Sequence, residues 1–230
     1  ENIATQGDPV PLGTAAVTLV PAAADAPPAA RLREAGAVLV TKTTMPDYGM
    51  LSSGLSSFHA LARNPWDLRT TPGGSSAGGA AAAAAGYGPL HIGTDIGGSL
   101  RLPAGWCGIF SLKPSLGRIP IDPPYTGRAA GPMTRSVADT ALMMQVLSQP
   151  DPRDSMALPW QPIAWDQFDA GVEKLRGLRI GLLLDAGCGL PVESEVRAAV
   201  LRAAQLLEDA GATVVPMQPF MTPTMLDGMD

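Results

Sequence analysis

Between Thr71 and Arg101 the chain concentrates glycine and serine in a way that restricts both its backbone and its chemistry. Thr71–Gly79 reads TPGGSSAGG and Thr94–Arg101 reads TDIGGSLR, so Ser75 and Ser99 each follow a pair of glycines. Glycine has no Cβ, and glycines beside a serine let backbone amides approach a reacting oxygen. Between the two motifs runs Ala80–Ala85, closed by Gly86. Alanine has the highest helix propensity, so Ser76–Gly86 is predicted to be a closely packing helix. The whole chain has only two histidines, His59 and His91. Two glycine-flanked serines in such a background point to hydrolysis without imidazole.

The remaining composition narrows the class. At 230 residues, 46% hydrophobic and 16% charged, the chain reads as globular, either one large domain or part of a bigger one. High glycine (26) and proline (23) predict many tight connections. The net charge is −5 and the basic residues are scattered, which argues against a nucleic-acid or membrane-surface patch. Cys107 and Cys188 lie in mostly apolar neighbourhoods and read as buried reduced thiols, not as a disulfide or zinc site. Two separated histidines are too few for a metal cluster. No apolar run reaches the roughly 20 residues that span a bilayer. The chain opens on Glu1 without methionine or a visible signal peptide, and Met225–Asp230 gives no obvious stop to a fold, so both ends read as cuts.

Periodicity and punctuation predict alternating strands and helices. Arg31–Gly36 reads as a helix end stopped by Gly36, and Ala37–Val40 as a short buried strand. Residues 44–73 are loop-rich around Asn64-Pro-Trp66 and Thr71-Pro-Gly-Gly74. Leu90–Gly93 and Gly108–Lys113 are candidate strands. Met133–Leu147 reads as a helix capped by Thr134 or Ser136, with Arg135 and Asp139 one turn apart on one face. The proline-bearing stretch 148–176 reads as a long surface connection. Leu178–Leu184 is a predicted buried strand. Val192–Ala210 is a predicted amphipathic helix with Val192, Val196, Val200, Ala203 and Leu207 on one face, stopped by Gly211 before a strand at Ala212–Pro216. The alternation implies a layered α/β fold with a parallel or mixed sheet.

A serine hydroxyl needs a base within hydrogen-bond reach. Gly74-x-Ser76-x-Gly78 matches a nucleophile elbow, but no strand precedes it and no histidine follows His91. An anion cradle at Gly73–Gly79 lacks the Gly-Lys-Ser/Thr signature and a strand leading in. Cys107 as a nucleophile has no histidine placed to activate it. Solvated glycine-rich turns would account for either serine motif alone, but poorly for both together.

The run from Gly73-Gly-Ser-Ser-Ala-Gly-Gly79 through Gly93-Thr-Asp-Ile-Gly-Gly-Ser-Leu-Arg101 to Gly108-Ile-Phe-Ser-Leu-Lys-Pro114 resembles the signature region of the amidase signature family. Flanking matches follow in the family's order: Glu34–Val40 with Lys42-Thr43, Arg63-Asn-Pro-Trp66, Ala130-Gly-Pro-Met133 with Arg135 and Asp139, and Leu178-Arg-Ile-Gly181. The resemblance covers nearly the whole chain. The serine-rich core is its specific part, and Ala77 departs from it where glycine is common.

The resemblance implies a mixed central β-sheet covered by helices on both faces, incomplete here, with residues 1–230 forming part of a single amidase domain. It implies a Ser–cis-Ser–Lys triad. Ser99 is then the nucleophile, Ser75 the bridging residue after a cis Gly74–Ser75 bond, and Ser76 a neighbour that fixes the loop. The amides of Ile96, Gly97, Gly98 and Ser99 would hold the oxyanion, Asp95 and Arg101 would brace the nucleophile loop, and Met50–Ser53, Met50 among them, would belong to the pocket wall. Lys42 reads as structural, with Lys113 and Lys174 weaker candidates. The opening Glu1-Asn2-Ile3 resembles the family's Lys-Asp/Glu-Asn step with its lysine removed, which would put the base immediately before Glu1. The implied reaction is amide C–N hydrolysis through an acyl-enzyme, on a small-molecule amide, without metal or organic cofactor, in the cytoplasm. Homo-oligomerisation stays open. The alternative is an inactive or amidotransferase-type subunit that binds substrate or a partner without amidase activity of its own.

Overall fold

The computed structural model describes residues 1–167, 171–222 and 224–225, in two compact units, Glu1–Asp166 and Gln167–Asp230. The first is organised by a strand that small residues make possible. β3 (Ala129–Thr134) is buried along its whole length and lies between β1 (Leu90–Asp95) and β2 (Phe110–Ser111), antiparallel to both. Gly131 pairs with Gly93. A Cβ on Gly131 would stand 2.2 Å from the Leu112 carbonyl oxygen and 2.6 Å from Leu100 Cδ1, so nothing larger than hydrogen fits.

Alternation along β3 then separates two packed faces. Ala130 packs with Met143, Met144 and Leu147 of α4 (Val137–Leu147), Leu32 of α1 (Pro27–Glu34), Ile119 and Ile121. On the other face Met133 packs with Ala80 of α2 (Ala77–Ala84), Leu100, and Cys107 at the end of α3 (Arg101–Cys107). Helices therefore cover both faces of this sheet. A buried methyl contributes only about 0.8 kcal/mol, so the alanine helix gains more from close approach than from area; Ala77, Ala80 and Ala83 are fully buried.

Helix ends fall where the local chemistry places them. α2 stops at Gly86, whose φ of +81° is a left-handed turn that glycine adopts without a Cβ penalty. Tyr87 N–H then reaches Ala82 O at 2.9 Å, and the Arg135 guanidinium donates to Ala83 O and Gly88 O at 3.0 and 2.9 Å. α1 ends the same way, with Ala37 N–H on Leu32 O at 2.9 Å. Ser136 caps α4, accepting from Asp139 N–H at 3.1 Å and donating to the Asp139 carboxylate at 2.7 Å.

Several expectations are corrected. Met133 and Thr134 belong to β3, not to a helix, and Arg135 precedes α4 and reaches back to α2 instead of sharing a face with Asp139. Ala37–Val40 forms no strand. Its Ala37 and Leu39 pack on the core, while Val38 and Val40 are 86% and 89% exposed. The connection after α4 is anchored, not merely superficial: buried Asp154 accepts from Ile121 N–H and Met156 N–H at 2.9 and 2.8 Å, and buried Asp151 is bound by Arg153. Part of that connection, residues 168–170, lies outside the described residues, as does the closing stretch 226–230.

In the second unit α5 (Gly171–Leu175) leads to β4 (Arg179–Leu182), α6 (Ser194–Asp209) and β5 (Thr213–Pro216), with β4 and β5 parallel. The expected buried strand is only half-buried, and Val196 and Val200 of the expected apolar face are exposed; Ala204 is the buried residue of α6. One helix on a two-stranded sheet cannot bury both faces. Antiparallel and parallel pairing both occur, in two sheets, within the expected α/β class.

Gly131→Ala should destabilise the intact protein by about 1–3 kcal/mol, the usual cost of overpacking. A lowered urea midpoint at unchanged m-value is the expected result.

Candidate active site

The two glycine-serine motifs meet where β1 ends. Ser76 N–H donates to the Ser99 carbonyl at 3.2 Å, tying one loop directly to the other. Ser76 Oγ bridges the backbone of Thr94, donating to its carbonyl at 3.1 Å and accepting its N–H at 3.2 Å. This contact needs Gly93, since a Cβ there would fall 2.4 Å from Ser76 Oγ. Ser76 stands at the N-cap of α2 but makes no side-chain capping bond; its hydroxyl binds the strand instead.

The Gly74–Ser75 peptide bond is cis, and Ser75 is 6% exposed. Gly74 sits so close to Leu51 and Ser53 that a Cβ would meet Ser53 O at 2.5 Å. The turn Asp47–Gly49 closes the other side, where a Cβ on Gly49 would lie 3.3 Å from Ser75 Oγ. Met50 directly follows that turn and is exposed. Ser99 is half-buried.

Asp95 organises the loop that carries Ser99. Its carboxylate accepts Gly98 N–H at 2.8 Å, Leu100 N–H at 3.0 Å and Arg101 N–H at 3.4 Å, and the Arg101 guanidinium at 3.0 and 2.9 Å. Asp95 is 1% exposed. Burial pushes its carboxyl up, but the bonds from Arg101, Leu100 and Gly98 and the Arg101 charge together hold it below the ordinary carboxylate range. One expectation changes as a result. Gly98 N–H points at Asp95, so of the four amides thought to face an oxyanion this one is already engaged. Exposed Ile96 and Gly97 and half-buried Ser99 remain.

The Asn-Pro-Trp motif braces the far end of α3. Asn64 Nδ2 donates to Trp106 O at 2.9 Å and Trp66 Nε1 to Cys107 O at 2.7 Å. Cys107 is buried, its thiol pushed up to about 11 by desolvation, which makes it a poor nucleophile; Cys188 is half-buried, short of the expected full burial. Lys42 Nζ donates to the Pro9 carbonyl at 3.1 Å. Among the described residues no group of three or more His, Cys, Asp or Glu is placed to hold a metal ion, and no helix is long and apolar enough to cross a membrane.

Sequence reasoning singled out Glu1-Asn2 by resemblance but missed their three partners, Thr94, Thr43 and His59. Asn2 Nδ2 donates to Thr94 Oγ1 at 2.8 Å, the Glu1 nitrogen donates to Thr43 O at 3.3 Å, and His59 Nε2 lies 2.6 and 3.0 Å from the Glu1 carboxylate oxygens. The start of the chain is thus seated beside the serine loops. Thr94 carried no signal beyond its place next to Asp95, and His59 none beyond its rarity.

Comparison with known proteins defines the class. The family model described as Amidase matches residues 1–229. A glutamyl-tRNA(Gln) amidotransferase subunit from Rubrobacter xylanophilus is 43% identical over 182 residues, covering 77% of this chain and 37% of that protein. The corresponding protein of Rhodopirellula baltica is 40% identical, covering 84% of this chain and 40% of that protein. Among solved structures, a bacterial aryl acylamidase of the amidase signature family superposes with a TM-score of 0.83 at 32% identity, over 98% of this chain and 48% of that one. The peptide amidase of Stenotrophomonas maltophilia gives 0.82 at 32% identity, over 94% and 46%. The chain belongs to the amidase signature family and has its α/β fold. It spans less than half the length of these relatives.

Asp95→Asn in the intact protein should cost about 2 kcal/mol, since it leaves buried donors without a full acceptor. The pH dependence has a definite sign. A carboxyl held low in the folded state contributes stability that is fully present above its unfolded pKa near 3.9 and lost as pH falls through the folded value. Urea midpoints measured between about pH 2 and 6 should therefore fall on acidification more steeply in wild type than in Asp95→Asn.

Proposed function

We propose that the intact protein hydrolyses a carboxylic amide C–N bond through a serine acyl-enzyme. The observation that carries this reading is the Ser76–Ser99 backbone bond, which joins a buried Ser75 and a more accessible Ser99 into one site in a chain of the amidase family. The two compact units are read as parts of one amidase domain.

In this reading Ser99 Oγ attacks the amide carbon as its proton passes to Ser75 Oγ, and the Ser75 proton passes to a neutral lysine amine. The carbonyl π pair moves onto oxygen, where the Ile96, Gly97 and Ser99 amides stabilise it; one such donor is typically worth about 3–4 kcal/mol. Collapse breaks the C–N bond, the amine leaves with a proton delivered through Ser75, and water releases the acid by the reverse relay. Asp95 and Arg101 position the loop without touching the reacting atoms. The base in this reading is a lysine amine, and Glu1 and Asn2 are seated against Thr43 and Thr94 beside the serine loops. Met50, exposed and next to the turn against Ser75, belongs to the substrate side. The substrate is a small-molecule amide.

A second reading is favoured by the names of the sequence relatives, which are amidotransferase subunits. There the same serine chemistry would release ammonia from an amide inside a complex with partner subunits.

A fluorophosphonate probe on the full-length protein should label Ser99, and Ser99→Ala should remove both label and amide turnover. Ser75→Ala should lower kcat by about 10³-fold or more, because groups acting as a unit fail together. Labelling elsewhere, or unchanged turnover in Ser99→Ala, sinks the assignment. Turnover of a simple aryl amide by the isolated protein favours the first reading; turnover of glutamine only with partner subunits present favours the second.

A further inference from the structure

The Glu1 carboxylate is an unusual group to find beside these loops. Its side chain is 2% exposed, and His59 Nε2 reaches both of its oxygens, at 2.6 and 3.0 Å. A buried carboxylate is costly unless it is hydrogen-bonded or paired, so this contact decides whether Glu1 can stay where it is. Two routes lead from it to the serines. On one side, Asn2 binds Thr94 Oγ1, and the Thr94 backbone brackets Ser76 Oγ. On the other, His59 N–H donates to Ser56 Oγ at 2.9 Å. The adjacent Ser57 is held by Asp47 through its N–H at 2.8 Å and through its hydroxyl. Asp47 opens the turn whose Gly49 abuts Ser75 Oγ.

We propose that His59 is a positioning residue for the serine chemistry: by clasping Glu1 it locks the Glu1–Asn2 step to the turn behind Ser75 and so fixes the separation of the groups that exchange protons. The role rests on the functional reading above. It is specific in chemistry, because it requires a donor at the Nε2 position. The Nδ1 side of the ring is not part of the clasp, and His59 touches neither serine.

The chemistry selects the variants. A glutamine amide nitrogen reaches the place of Nε2, whereas asparagine reproduces only Nδ1. In the full-length protein, His59→Ala and His59→Asn should lower kcat by about 100-fold, the scale on which a misplacement of about 1 Å acts. KM should change little and His59→Gln should restore most of the rate. Fluorophosphonate labelling of Ser99, timed on the same proteins, should slow in parallel without amide substrate. If His59→Ala labels and turns over like wild type, or if asparagine serves as well as glutamine, the clasp is overturned. If all three variants lose rate in proportion to a lowered melting temperature, His59 is structural only, which also overturns it. If wild type itself neither labels at Ser99 nor hydrolyses amides, the failure lies with the functional reading instead.

Discussion

A single buried carboxylate gives the Ser99 loop its shape. Asp95 ends β1 at a point where the chain must turn back into α3, and residues 96–100 have no partner strand to satisfy their amides. The carboxylate supplies acceptors for Gly98, Leu100 and Arg101 at once, and Arg101 returns from the first turn of α3 to compensate its charge. With those donors met, Leu100 can bury completely between the sheet and α2, and that burial holds the neighbouring Ser99 carbonyl where Ser76 N–H finds it. Arg101 is more than half exposed, so its charge is screened by solvent. The backbone bonds, not the ion pair, carry most of the ordering.

The glycines of the signature sort by physical duty. Gly73, Gly74 and Gly93 are required by packing: a Cβ on each would stand within 3 Å of Pro103, Ser53 or Ser76. Gly97 differs, because a Cβ there meets nothing within 4 Å and the residue is exposed. The first group lets two loops, a strand and a helix converge closely enough for a backbone bond to join the serine motifs. Gly97 serves no such convergence, so no packing demand in the loop calls for its missing side chain.

Much of this was legible in the sequence, and what was not has identifiable causes. The alanine helix, its stop at Gly86, the Ser136 cap and the strand at Leu90 follow from propensity and punctuation. β3 did not, because Ala-Ala-Gly-Pro-Met-Thr contains two strand breakers. Pro132 is tolerated in a central strand because β2 pairs only as far as Met133, while the Pro132 carbonyl still accepts Leu112 N–H at 3.2 Å. Ala37–Val40 failed in the opposite sense: its residues suit a strand, yet no neighbouring strand pairs with it among the described residues. For the site, the serines and Asp95 stood out by motif, whereas Thr94 and His59 act through contacts 18 and 58 residues away in sequence.

The scarcity of imidazole sharpens the question of where protons go. His91 is partly buried, which lowers its pKa, and its ring lies against the Gly88 carbonyl; His59 is taken up by Glu1. In the proposed reaction the base is an amine, which acts only when neutral, and burial away from negative charge favours that form. Lys42 meets the first condition in part, since burial lowers its pKa. It meets the second less well, because the Asp8 and Glu1 charges push the value back up against that burial, which remains the larger effect. Its ammonium also donates to Pro9 O, an acceptor that stabilises the charged form. The neighbouring carboxylates and the Pro9 carbonyl suit Lys42 to an anchoring role, in keeping with the proposal that a different amine serves as the base.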